Sequence, residues 1–150
     1  MNAAGTKPMQ SKLEVPVEFG DTDPATIVFY PHYFRWYDAS AWRLFAKAGF
    51  TLDVLRSEFG LLGLPIVEAN SRFITASRFG DTIEITTHIE SWTRKSFKVI
   101  HEVRNGGDLC AEGFEVRICA RLTDDNTLQA ISIPDEFRQR LLAGEVIATT

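Results

Sequence analysis

Apolar residues recur along this chain with two different periods, and each change of period marks a new element. Leu13, Val15 and Val17 alternate with polar or small neighbours, which predicts a first strand. A polar loop bracketed by Gly20 and Pro24 follows. From about Pro31 to Gly49 the spacing becomes helical, with proline near the first position and glycine as a stop. At about 100° per residue, Phe34, Tyr37, Ala41, Leu44, Phe45 and Ala48 share one broad stripe. His32, Arg35, Ser40, Arg43 and Lys47 lie opposite it. Trp36 and Trp42 fall outside the stripe, so more than one face of this helix is expected to be covered. A shorter helical stretch, Leu52 to Phe59, ends before Gly60.

The rest of the chain alternates as strands. Pro65 to Phe73 is the second. In the third, Ile83, Ile85, Thr87 and Ile89 share a face; in the fourth, Phe97, Val99, His101 and Val103 do. Asn105-Gly106-Gly107-Asp108 is a strong turn signal. In the fifth strand Phe114, Val116, Ile118, Ala120 and Leu122 are expected on the apolar face, opposite Glu115, Arg117, Cys119 and Arg121. Asp124-Asp125-Asn126 turns the chain into a short strand ending at Ile133. Pro134, Asp135 and Glu136 then open a closing helix, with Gly144 as its stop. Strands with one polar face and short turns make an antiparallel sheet. The fold class is α+β: a curved antiparallel sheet of five to six strands wrapped around one long central helix, with a short C-terminal helix.

Composition narrows the function classes. The 150 residues suffice for one core and are too few for two ordinary domains. Residues 1–12 are polar and read as a disordered tail before a single domain over 13–145. A net charge of −4 argues against nucleic acid as a partner. No run of eighteen apolar residues suggests a membrane span, and the first twelve residues lack the apolar stretch of a secretory signal. Cys110 and Cys119 lie nine apart in one predicted strand, too far along it to bridge, which points to a reduced, cytoplasmic protein. His32, His88 and His101 have no metal-ligand spacing, so no metal is expected.

Several catalytic devices are absent from the sequence. There is no Gly-x-Ser-x-Gly elbow, no dinucleotide fingerprint and no phosphate loop. Both cysteines sit in strand patterns. A carboxylate-centred site remains. Asp23 precedes a proline, which restricts its backbone, and its loop leads to the N-terminus of the long helix. Free N–H groups and the positive dipole end there can receive a developing oxyanion, beside which a carboxylate can attack a thioester carbonyl or activate water. Equally, Asp-Pro is a common turn former, with Asp21 or Asp23 as a loop cap. Asp38 lies at the margin of the apolar stripe; it has either a function or an ion pair with Arg35. Arg94 and Lys95, at the junction of two strands, either hold a phosphate or form a solvated turn.

Taken together, the segments Glu18-Phe19-Gly20-Asp21-Thr22-Asp23-Pro24-Ala25 and Ile27-Val28-Phe29-Tyr30-Pro31-His32-Tyr33 resemble the signature of the 4-hydroxybenzoyl-CoA thioesterase family of hotdog-fold enzymes. Arg35-Trp36, Asp38-Ala39, the stretch Gly60 to Val67 with Asn70 and Phe73, and Trp92 to Phe97 fit the same template. The resemblance spans about Val17 to Ile133. It implies a hotdog fold and hydrolysis of an aromatic acyl-CoA to free acid and CoA. Asp23 would be the catalytic carboxylate, and the Tyr30 N–H would polarise the thioester carbonyl. Asp38, Gly63 and Leu64 would contact the acyl group, and Arg94 and Lys95 the coenzyme A. It also implies no cofactor beyond the CoA of the substrate, and homodimers or homotetramers with active sites shared between subunits. The chain departs from the pattern at Thr93, where a family member carries a third cation. It also departs at Leu64, where threonine stands, and at Thr51-Leu52-Asp53, which lacks a tryptophan. Two alternatives stay open: a short- or medium-chain aliphatic acyl-CoA thioesterase, and a non-catalytic protein that binds acyl thioesters. Aliphatic relatives carry a histidine soon after the signature aspartate, whereas Tyr30-Pro31 occupies that region here.

Overall fold

The computed structural model describes residues 8–143. Its centre is helix α1, Pro31–Lys47, which begins where proline loses nothing by lacking an N–H. The helix ends at Gly49, whose φ of +89° few other residues tolerate. Tyr37, Ala41, Leu44 and Phe45 of the expected stripe are buried, and so are Trp36 and Tyr33. Ser40, expected on the polar side, is buried as well. Its hydroxyl meets the Thr87 hydroxyl at 2.6 Å, and its carbonyl accepts the Ser11 hydroxyl at 3.0 Å. Such bonds are what permit a hydroxyl in a core. Helix α2, Leu52–Phe59, is capped by the Thr51 hydroxyl, which accepts the Val54 N–H.

Six strands form the sheet that α1 packs against: β1 Gln10–Pro16, β2 Ile66–Phe73, β3 Thr82–Trp92, β4 Ser96–Asn105, β5 Asp108–Leu122 and β6 Leu128–Ile131. The order is β1-β3-β4-β5-β2, every pair is antiparallel, and β6 pairs with the end of β5. Helix α3, Asp135–Leu142, closes the chain; Gly144, its expected stop, lies outside the described residues. Phe45, Phe50, Phe97 and Phe137 anchor one core cluster, and Tyr37, Ile83, Ile85 and Val103 the other.

Two expectations need correction. The expected tail through Lys12 reaches too far: β1 starts at Gln10, pairs with β3 from His88 onward, and Met9 and Ser11 are buried. An edge strand is held by backbone bonds and one covered face, so its polar residues conceal it. Of that tail, residues 1–7 lie outside the described residues. The second correction concerns β5, whose faces are reversed. Glu115, Arg117 and Cys119 point into the core, while Phe114, Val116 and Ile118 are half-buried on the outer face. Both faces carry apolar residues, so alternation alone could not orient the strand.

Gly113 of β5 is a point of close approach. A Cβ there would lie 2.6 Å from a Tyr37 ring carbon and 2.7 Å from the Asn70 carbonyl. The Tyr37 ring is itself stacked on His101, with ring centroids 4.7 Å apart, and its hydroxyl meets the Ser71 hydroxyl. Gly113→Ala is therefore expected to cost about 1–3 kcal/mol, readable in urea unfolding. A neutral result would mean that the α1–β5 seam yields more easily than its contacts imply.

Candidate active site

The loop between β1 and α1 carries Asp23, and its fold gives Asp21 and Asp23 different hydrogen-bond partners. Asp21 is a local cap: its Oδ2 accepts the Glu18 N–H at 2.9 Å, and its carbonyl accepts the Phe29 N–H. Asp23 closes a tight turn. Its backbone N–H donates to the Ile27 carbonyl, its carbonyl accepts the Thr26 N–H, and its Oδ1 accepts the Ala25 N–H at 2.8 Å. Thr26 takes a positive φ of 67° to complete that turn. One carboxylate oxygen thus fixes the side chain. The other, Oδ2, has no hydrogen-bond partner among the described residues.

Asp23 lines a cavity of about 300 Å³ together with Tyr30, Tyr33, Phe73, Thr75 and Ser77. Tyr30 sits at the start of α1. Its neighbours' amides are engaged, Phe29 N–H to Asp21 and His32 N–H to the Phe29 carbonyl. The Tyr30 N–H has no acceptor among the described residues, as expected of a helix's first amides. Residues bearing a carboxylate and a helix-start amide thus line one cavity, and such groups can, respectively, attack a carbonyl and stabilise the oxyanion formed. The cavity's aromatic wall is narrow. Tyr30 and Tyr33 come from the helix and its start, Phe73 comes from β2, and Tyr33 and Phe73 lie 5.1 Å apart. Phe45 and Tyr37 are spent on the core. Burial raises the Tyr33 phenol, against a hydrogen bond from Ser77 that lowers it, so it stays a neutral donor.

The remaining predicted residues stand away from this cavity. Asp38 does not pair with Arg35; its Oδ1 accepts Arg117 Nη2 at 2.8 Å, and the same guanidinium donates to the Leu64 carbonyl at 3.0 Å. Gly63 forms a bridge to Ala120. Asp38, Gly63 and Leu64 are thus gathered beside Arg117, on the flank of α1. Arg117 also donates to Glu115 at 2.9 Å, and Glu115 lies 3.6 Å from His101 Nε2. His101 Nδ1 meets the Thr87 hydroxyl at 2.7 Å, which continues to Ser40. Burial holds the His101 imidazole below its ordinary pKa, neutral in the core, although Glu115 opposes that shift. Burial alone would raise the Glu115 carboxyl; the His101 side chain and the Arg117 guanidinium outweigh it and hold it low. Glu115 and Arg117 were placed on the wrong face from sequence. Their two-residue spacing puts both on one side of the strand but does not tell which side faces the core.

Arg94 and Lys95 form the exposed turn between β3 and β4. Arg94 Nη1 donates to the Ser132 hydroxyl at 3.2 Å, and its carbonyl accepts the Ile133 N–H. One chain therefore carries three separate groups: the Asp23 cavity, the Arg117 cluster and the basic turn. Among the described residues, no helix is long and apolar enough to cross a membrane.

This arrangement falls within a known class. The family described as the thioesterase-like superfamily matches residues 17–141, and the chain belongs to it. The chain is 40% identical over 133 residues to 4-hydroxybenzoyl-CoA thioesterase of Pseudomonas sp. (strain CBS-3), covering 83% of this chain and 92% of that protein. A crystal structure of an aspartate-to-asparagine variant of 4-hydroxybenzoyl-CoA thioesterase, complexed with 4-hydroxybenzoyl-CoA, superposes with a TM-score of 0.82 at 35% identity. That match covers 89% of this chain and 99% of the other. A gentisyl-coenzyme A thioesterase structure gives a TM-score of 0.74 at 35% identity, covering 85% and 98%. The fold is the hotdog fold, and the protein is an acyl-CoA thioester hydrolase.

Proposed function

We propose that this enzyme hydrolyses an aromatic acyl-CoA of the hydroxybenzoyl type to free acid and CoA, with Asp23 as its catalytic carboxylate. The observation that carries the reading is the shared cavity: Asp23, with one oxygen anchored and one free, faces the same space as Tyr30 and the rings of Tyr33 and Phe73. Support comes from two relatives whose names specify hydroxyaryl-CoA esters, one of them solved as an aspartate-to-asparagine variant complexed with 4-hydroxybenzoyl-CoA.

In the nucleophilic route Asp23 attacks the thioester carbonyl, CoA leaves as thiolate and takes up a proton, and water cleaves the resulting anhydride. In the base route Asp23 takes the proton of the attacking water directly. In both, the Tyr30 N–H and the α1 dipole stabilise the oxyanion. No cofactor enters. Asp38, with Gly63 and Leu64 beside it, contacts the aryl group, and Arg94 and Lys95 grip the CoA.

Because these groups stand apart in one chain, the complete site is shared between two copies. The edge strand β2 offers the contact: Ile66, Val67, Phe73 and the following Ile74 are exposed beside an unpaired backbone edge, and Phe73 also lines the cavity. The half-buried Ile100, Phe114 and Val116 on the outer sheet face suit a further pairing to tetramers. The enzyme is read as cytoplasmic, with neither nucleic acid nor membrane as partner.

The test is a panel of benzoyl-, 4-hydroxybenzoyl- and butyryl-CoA. The aryl esters are expected to lead in kcat/KM by tenfold or more, at roughly 1.4 kcal/mol per tenfold. A clear preference for butyryl-CoA would overturn the aryl reading.

A further inference from the structure

Helix α3 brings a third cation to the basic turn. Arg138 Nη2 donates to the Thr93 carbonyl at 2.8 Å, one residue before Arg94, and its guanidinium carbon lies 5.5 Å from the centre of the Trp92 ring. From the same flank, Ser132 holds the Arg94 side chain and Ile133 holds its backbone. The turn is also braced internally: the Thr93 hydroxyl meets the Ser96 hydroxyl at 2.6 Å and accepts the Ser96 N–H at 3.0 Å. Thr93 itself is uncharged, so Arg138 supplies positive charge at a position whose own side chain has none.

The bonding of Arg138 is incomplete for a structural arginine. A guanidinium has five N–H donors. Here one acceptor is a neutral carbonyl, and the buried Nε has no partner among the described residues. Among the described residues no carboxylate compensates it: on its own helix, Glu136 is bonded to Arg140, and Asp135 forms no ion pair. Arg94 and Lys95 likewise have no acidic partner among the described residues. Arg94 and Lys95 belong to this turn and Arg138 bonds to it, with no acidic partner for any of the three among the described residues, in a chain whose net charge is −4. Like charges so placed repel one another unless a multivalent anion sits between them.

We propose that Arg138 binds the phosphates of coenzyme A, completing a three-cation grip with Arg94 and Lys95. This inference rests on the acyl-CoA reading of the basic turn given above. It adds a binding residue from α3, an element outside the motifs that suggested the turn.

The test is calorimetric titration of CoA and of pantetheine, which lacks the phosphates, into the wild-type enzyme and its Arg138→Met, Arg138→Lys and Arg140→Met variants. The wild type is expected to bind CoA more tightly than pantetheine. Arg138→Met should weaken CoA about tenfold, the scale of one charge-assisted hydrogen bond, and leave pantetheine unchanged. It should also flatten the salt dependence of CoA binding. Arg138→Lys should recover part of the loss, and Arg140→Met should behave as wild type. Both ligands sample the same folded fraction, so partial unfolding cancels from their ratio. The inference is overturned if Arg138→Met weakens both ligands equally, if it weakens neither, or if the wild type does not distinguish CoA from pantetheine. Failure of the aryl reading would appear separately, as absent turnover of aryl esters with the CoA preference intact.

Discussion

Asp23→Asn is expected to lower kcat by at least about 10³-fold while the enzyme keeps its fold and its affinity for the acyl-CoA. The geometry makes this substitution selective. Asparagine retains an Oδ1 that can accept the Ala25 N–H, so the turn from Asp23 to Thr26 keeps its closing bonds. Only Oδ2 changes, from an oxygen that can attack or accept a proton to an amide nitrogen that can do neither. Steady-state kinetics with the preferred ester, a thermal melt and titration of a non-turned-over ester separate the three properties. A variant within tenfold of wild-type turnover would remove Asp23 from the chemistry. Single turnover in labelled water then resolves the role: label found in the aspartate marks the nucleophile, and its absence marks the base. Asp21→Ala is the informative companion, because it removes the Oδ2 that caps Glu18, and that loss should act through loop stability rather than through chemistry.

How far this site could be read from sequence follows from the kind of signal each part leaves. Helix α1 was legible because proline, the 3.6-residue stripe and a terminal glycine agree with one another. Strands β3 and β4 were legible because their apolar residues alternate cleanly. The Tyr30 amide is a backbone group with no residue signature of its own, yet Pro31 marks the helix start and so locates it. Strand β1 hid its first residues behind Gln10, Ser11 and Lys12, whose partners are mostly backbone. Strand β5 misled for a different reason: in one chain its outer face carries Phe114, Val116 and Ile118, an apolar set that competes with the true core face. The partners of Arg117 were beyond reach, since Leu64 and Asp38 lie 53 and 79 residues away in sequence. Local spacing proposes only near neighbours, which is why Arg35 stood in for Arg117.

That misplaced arginine gives the largest stability effect expected here. Arg117→Met should destabilise the protein by about 3–5 kcal/mol, the usual result of removing one partner of a buried ion pair. The side chains of Arg117 and Glu115 are 3% and 2% exposed, so the abandoned Glu115 carboxylate has no water to replace the guanidinium. The Leu64 carbonyl and Asp38 lose a donor in the same step. Replacing both charges, Glu115→Gln with Arg117→Met, should recover a substantial part of the loss, because the damage lies in the unpaired charge more than in the absent bond. Asp38→Asn should cost far less, since that side chain is 49% exposed and solvated without its partner. Urea unfolding of the four proteins checks the order. A double variant less stable than Arg117→Met alone would show that the pair contributes by its bonds and packing rather than by mutual neutralisation. The sign with pH follows from Glu115, whose carboxyl is held low in the fold by His101 and Arg117 against burial. Its contribution is complete above the unfolded carboxylate range and fades as pH falls through the lower folded value. Arg117→Met should therefore lose its disadvantage progressively in acid, where a protonated Glu115 no longer needs the guanidinium.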